Sequence, residues 1–166
     1  MRRQLAATCA LTIALTACSA AGHQAPASRT TPATAGTPRP GPDPSTAAAL
    51  VRIAQAFNNA YDHNNDGPVY DRWDDRSQAI ITRAEYIRRH AECATAPRSA
   101  HVESATPGPR GAWLVRYEIG GQQLTDYWFY RHSRWQFDLL LSNPDAARLY
   151  RLPFAKYAAQ IGCNTH

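Results

Sequence analysis

The chain opens on an apolar run, crosses a long stretch without large side chains, and only then settles into periodic patterns. From about Ala48, residues Leu50, Ile53, Ala54, Phe57 and Tyr61 recur at three- and four-residue spacing. That spacing predicts an amphipathic helix with one face turned to a core. Ser45 or Thr46 stands where an N-cap belongs. A second helical region is predicted from around Val69 to Trp73. Thr82 to Glu85 reads as a capping box opening a helix through about Glu92, with Tyr86, Ile87 and His90 on its inner face.

The second half alternates with period two. Strands are predicted at Ala100–Ala105, Trp113–Ile119, Gln122–Arg131 and Trp135–Leu141. Pro107–Gly111, Gly120-Gly121 and His132-Ser133 supply the turns. Ser142-Asn143-Pro144 opens a short helix through Tyr150, and a turn or helix follows around Phe154 to Ile161. Helices first and an antiparallel meander second define an α+β fold, with the N-terminal helices packed on a curved antiparallel sheet.

Two-residue turns fix register. Trp113 should face Trp128, Val115 Asp126 and Tyr117 Leu124. Across the next turn Trp128 should face Phe137, Tyr130 Trp135 and Asp126 Leu139. One sheet face therefore carries Trp113, Val115, Tyr117, Leu124, Trp128, Tyr130, Trp135, Phe137 and Leu139, with Asp126 as its one acid. An acid among aromatic rings has a raised pKa, which is how a general acid or base is tuned. The expected fate of Asp126 is pairing with Arg72, Arg76 or Arg83 from a covering helix. Orienting a ligand and catalysis are the alternatives, and His90 is the histidine within conceivable reach. The other face carries ordinary cross-strand pairs, Arg116 with Thr125 and Tyr127 with Asp138.

Asp62, Asn64 and Asp66, with Gly67 following, match the first half of a calcium-binding loop. The twelfth position, where a bidentate Glu would close the site, is Trp73. A chain reversal at a helix end selects the same residue types, so weak calcium stabilisation is the lesser reading. The sequence carries no cofactor motif.

The N-terminus sets the compartment. Arg2 and Arg3 precede the uncharged run Leu5–Ala17, too short to span a bilayer core. The last four residues, Leu15-Thr16-Ala17-Cys18, resemble the lipobox of bacterial lipoproteins. The resemblance implies a signal peptide over 1–17 and a lipid-bearing Cys18 at the membrane's extracytoplasmic face. A plain secretory signal cut near Ala20 or Ala21 is the alternative. Residues 18–47 then form a Pro/Ala/Thr-rich tether expected to be disordered, and 48–166 the folded domain. Once the signal leaves, 16 basic residues face 13 acids. The charge is too small and too evenly spread for nucleic-acid binding. Seventeen of the 18 basic residues are Arg, which fits a high-GC genome. Cys93 and Cys163 remain as an even pair where disulfides persist, and a bridge between them is expected.

YDRW (70–73), the Ile81–Cys93 segment, LTDYWFY (124–130) and LSNPDAARLYRLP (141–153) resemble uncharacterised actinobacterial lipoproteins with a nuclear transport factor 2-like domain. The resemblance implies a cone whose concave face forms a pocket, lined here by Trp113, Val115, Tyr117, Asp126, Trp128, Tyr130, Phe137 and Leu139. It also implies a capacity to form homodimers through the sheet. That superfamily mixes isomerases, cyclases and dehydratases with non-catalytic binding domains, so it names no reaction. No second titratable group complements Asp126 in the sequence. The expectation is therefore a lipid-anchored domain that binds a small apolar or aromatic ligand, or a protein partner. An enzyme using Asp126 is the alternative.

Overall fold

The computed structural model describes residues 41–94 and 96–163. Residues 1–40, on which the expected signal peptide, the expected lipidation at Cys18 and most of the expected tether fall, lie outside the described residues. Helices α1 (Ala47–Asp62), α2 (Asp66–Tyr70), α3 (Asp75–Gln78) and α4 (Arg83–Glu92) come first. Strands β1 (Ala100–Pro107), β2 (Trp113–Ile119), β3 (Gln122–Arg131) and β4 (Arg134–Phe137) follow. Helices α5 (Leu139–Ser142), α6 (Pro144–Tyr150) and α7 (Phe154–Ile161) close the chain. The strands form one open antiparallel sheet in sequence order, so the domain is α+β. No helix among the described residues is long and apolar enough to cross a membrane.

Local chemistry explains the boundaries. Thr46 caps α1 by accepting from the Ala49 N–H, and Thr82 caps α4 by accepting from that of Glu85. The Glu85 carboxylate turns to Arg88 and Arg89 instead of reaching back to its cap. The helical region expected from Val69 begins earlier, at Asp66. The pairings Trp113–Trp128, Val115–Asp126, Tyr117–Leu124, Trp128–Phe137 and Tyr130–Trp135 are those the turns dictate. Gly120 and Gly121 take the positive φ that a tight hairpin needs, and His132 and Ser133 do so without a glycine's freedom.

One register expectation fails. β4 ends at Phe137, and Leu139 opens α5 instead of facing Asp126. Asp138 stops the strand because its carboxylate caps the new helix, accepting from the Leu141 N–H at 3.0 Å. The outer side of Phe137 is also taken: it accepts from Asp74 N–H and donates to Arg72 C=O.

Both sheet edges are covered, which protects the meander from adding strands. Gln55 of α1 lies along β1, donating to Ala100 C=O and accepting from Val102 N–H, each at 2.8 Å. Asp43 N–H donates to Ser133 C=O beside β4, and the Asp43 carboxylate accepts from Trp135 N–H. Residues 43–46, which the sequence assigns to the end of the tether, are thus part of the folded unit. The main core lies between α1 and the sheet, where Leu50, Val115 and Trp128 are fully buried. Phe57 sets its ring edge-on to Trp128 at 5.2 Å and beside Phe137 at 4.9 Å.

Candidate functional site

Asp126 sits on β3 opposite Val115 and is 7 % exposed. Burial pushes its carboxyl up to about 7, against a weaker opposing pull from the Tyr117 hydroxyl, which donates to it at a long 3.5 Å. The expected arginine pairing does not form, because each candidate is committed elsewhere. Arg72 binds Asp43 at 2.5 Å, Arg76 binds Asp138 at 2.5 Å, and Arg83 binds Asp71 at 2.7 Å. Each of those carboxylates lies nearer its arginine's own stretch of chain or on a facing helix cap, whereas Asp126 points into the packed face. His90 does not reach it either.

The pocket expected around Asp126 is filled. Val115, Trp128, Phe137 and Leu139 are buried core residues, while Trp113, Tyr117 and Tyr130 are half-buried and pack against that core. Phe57 of α1 packs its ring on two of these residues, Trp128 and Phe137. None of the eight expected lining residues borders the cleft found elsewhere in the domain.

That cleft, about 620 Å³, opens where the C-terminal ends of α1, α4 and α7 meet α6. Tyr61, His90, Tyr150 and Tyr157 reach it from those four helices, and Leu149 and Ile161 add apolar wall. Cys93 and Cys163 form a disulfide with Cα atoms 5.5 Å apart, and this bridge is part of the wall. Arg98 and Glu92 stand at the mouth.

The floor is organised around His90, which is 3 % exposed. Its Nε2 lies 2.8 Å from the Tyr150 hydroxyl and its Nδ1 3.0 Å from Asp66 Oδ1. Asp66 is itself buried, and desolvation raises it to about 6. Desolvation lowers His90 to about 4. At neutral pH an acceptor-only carboxylate therefore faces a neutral imidazole. That places the ring proton on Nδ1 and leaves Nε2 to accept the Tyr150 O–H. The Asp66 contact is close but off the N–H axis, so Oδ1 has no well-directed donor. Tyr150 is raised well above 10, chiefly by burial, and keeps its proton. A weak base and a firmly protonated phenol make a hydrogen-bonding floor, poorly suited to proton transfer at pH 7.

Arg89, beside His90, is buried although it is charged. Its guanidinium binds Glu85 Oε1 at 2.7 Å and the Leu152 C=O at 2.8 Å, and stacks over Tyr157. It fastens the α6–α7 junction to α4 and so fixes the cleft wall.

The calcium-like loop is differently employed. Asp62 Oδ2 accepts from the Ala100 N–H at 3.2 Å, Asp66 turns inward to His90, and Asn64 takes a left-handed φ of 53°. The two carboxylates diverge, and among the described residues no three His, Cys, Asp or Glu converge as metal ligands.

Sequence reading missed the Asp66–His90–Tyr150 set. Tyr61 and His90 are recognisable as inner-face residues, and a Cys93–Cys163 bridge requires the ends of α4 and α7 to meet. Together those two signals point to this corner of the fold. Comparison with family models, curated proteins and solved structures finds no match to this chain.

Proposed function

We propose that this chain is a lipoprotein held at the extracytoplasmic face of the cell membrane through a lipid on Cys18, and that its folded domain binds a small ligand without transforming it. The observation that carries the binding reading is the cleft walled by Tyr61, His90, Tyr150 and Tyr157. Its volume falls in the range of small-molecule sites, and its lining mixes apolar walls with a few oriented polar groups. Helices over an antiparallel meander, with the motifs at 70–73 and 124–130, support a nuclear transport factor 2-like cone as the fold. The ligand cleft then sits beside the helices and not on the concave sheet face.

The anchor is tested by metabolic labelling with palmitate in the native host. Label on the parent chain and none on Cys18→Ser supports it, and an unlabelled, freely secreted parent overturns it. The ligand reading is tested by screening small aromatic compounds against the domain by amide NMR. Saturable shifts at Tyr61, His90 and Tyr157 support it, and shifts confined to the sheet face would count against it. A second reading, an enzyme using Asp126, draws on one observation: among the described residues that carboxyl has no arginine partner, and burial raises its pKa to about 7. It requires Phe57 to vacate the space beside Trp128, and Phe57→Ala, which opens that space, should then increase ligand uptake there.

A further inference from the structure

The cleft carries more phenol than its packing needs. Tyr150 commits its O–H to His90, but the hydroxyls of Tyr61 and Tyr157 form no hydrogen bond to a described residue. Neither is among the sealed, partnerless polar atoms of the interior. Both are donors left over at one cavity. The rings of Tyr150 and Tyr157 stack, with centroids 5.8 Å apart and planes 24° from parallel, and Leu149 lies beside them. The Tyr157 ring is also packed by Arg89 and Phe154, so the apolar wall left to a ligand is Leu149 and Ile161 with the edges of these rings.

The charge at the mouth is one-sided. Glu92 is held by Arg88 at 2.7 Å. Arg98 forms no ion pair with a described carboxylate and is exposed at the opening. Its charge reaches the Tyr61 hydroxyl, where it opposes the upward push of burial and of the Asp66 and Asp62 carboxylates. An anionic ligand group placed among Tyr61, Tyr157 and Arg98 would meet two neutral donors and one cation, with the buried Asp66 carboxylate behind the tyrosines as the opposing charge.

We propose that the cleft binds a small carboxylate with an apolar body, the body against Leu149, Ile161 and the edges of Tyr150 and Tyr157 and the carboxylate accepting from Arg98 and the Tyr61 and Tyr157 hydroxyls. This rests on the reading of the cleft as a ligand site and narrows its ligand class. No group is transferred and no proton moves.

The test uses the full chain with its disulfide intact, titrated with benzoate, benzyl alcohol and benzylamine while amide shifts are followed by NMR. Benzoate should bind saturably at the cleft, about tenfold more tightly than benzylamine. Arg98→Ala should weaken benzoate about fivefold or more and leave benzyl alcohol unchanged. Tyr157→Phe should weaken benzoate with the disulfide and fold retained. Benzyl alcohol or benzylamine binding as tightly as benzoate, or benzoate indifferent to Arg98→Ala, overturns the carboxylate and leaves the cleft a ligand site. No saturable shift from any of the three probes overturns both.

Discussion

His90 Nδ1 lies 3.0 Å from Asp66 Oδ1, and burial drives the two groups in opposite directions. Asp66 is raised to about 6 from an ordinary 3.8, so its contribution to stability is full below pH 3.8 and is lost as pH rises through 6. His90 is lowered to about 4 from 6.5, so its contribution is full above pH 6.5 and is lost as pH falls through 4. The slopes oppose each other across one window. Removing either partner should unmask the other. Between pH 4 and 6.5, Asp66→Asn should gain stability relative to the parent as pH rises, by about 3 kcal/mol in all. His90→Gln should lose a similar amount over the same range. Urea unfolding at a series of pH values reads both differences, and two slopes of the same sign would refute the opposed burial shifts.

Asp126 offers a separate titration. Its folded pKa of about 7 lies above 3.8, so ionising it costs stability progressively as pH rises between those values. Asp126→Asn keeps the shape and removes the cost. The variant should be more stable than the parent at pH 8, by up to roughly 4 kcal/mol, with no such gain near pH 4. An Asp126→Asn protein no more stable than the parent at pH 8 would mean that the carboxylate is solvated or paired in solution.

Much of this fold was legible because local signals agreed. Thr46 and Thr82 mark two helix starts, and Gly120-Gly121 sets a register that places Val115 against Asp126 without tertiary information. Where side chains act across the fold, the reading failed. Arg72, Arg76 and Arg83 were all plausible partners for Asp126, and the choice among carboxylates depends on helix packing that periodicity does not encode. Asp138 reads as a strand residue until its role as a cap is known. Asp66, His90 and Tyr150 lie far apart in sequence, on three helices, and no spacing rule joins them. Phe57 is an inner-face residue in either view, but only packing shows that its ring covers Trp128 and Phe137.

The Cys93–Cys163 bridge joins residues 70 apart in sequence and ties α7 to α4 at the cleft wall. Such a loop contributes about 4 kcal/mol in the chain-entropy model. Reduction by a dithiol, or the Cys93→Ala/Cys163→Ala pair, should lower unfolding free energy by about 2–4 kcal/mol. Hydrogen exchange should rise first in α7, because Tyr157 and Ala158 are its only buried residues. Uniform acceleration across the sheet and α7 alike would show that the bridge stabilises the whole unit and not this wall.

Asp43 does more than its place beside a Pro-rich stretch suggests. Its N–H donates to Ser133 C=O at 2.9 Å, and its C=O accepts from the Tyr130 hydroxyl at 2.6 Å. Its carboxylate accepts from Trp135 N–H at 2.9 Å and from Arg72 at 2.5 Å. Burial alone would raise its pKa, yet the bonds from Arg72 and Trp135 together hold it below the usual carboxylate value. The contact also braces a turn in which His132 and Ser133 both adopt positive φ, a conformation unfavourable for side-chain-bearing residues. Asp43→Ala should therefore cost about 2 kcal/mol, since it strips partners from a half-buried guanidinium and a backbone N–H. Asp145→Ala, which removes an exposed ion pair with Arg148, should cost less than about 0.5 kcal/mol. Chains beginning at residue 41 should unfold like the full chain, whereas chains beginning at residue 46 should show the full Asp43→Ala loss or more. Denaturant titration of the five proteins decides it: if the chain beginning at residue 46 matches the full chain, the folded unit starts at α1 and Asp43 is only an ornament of the tether.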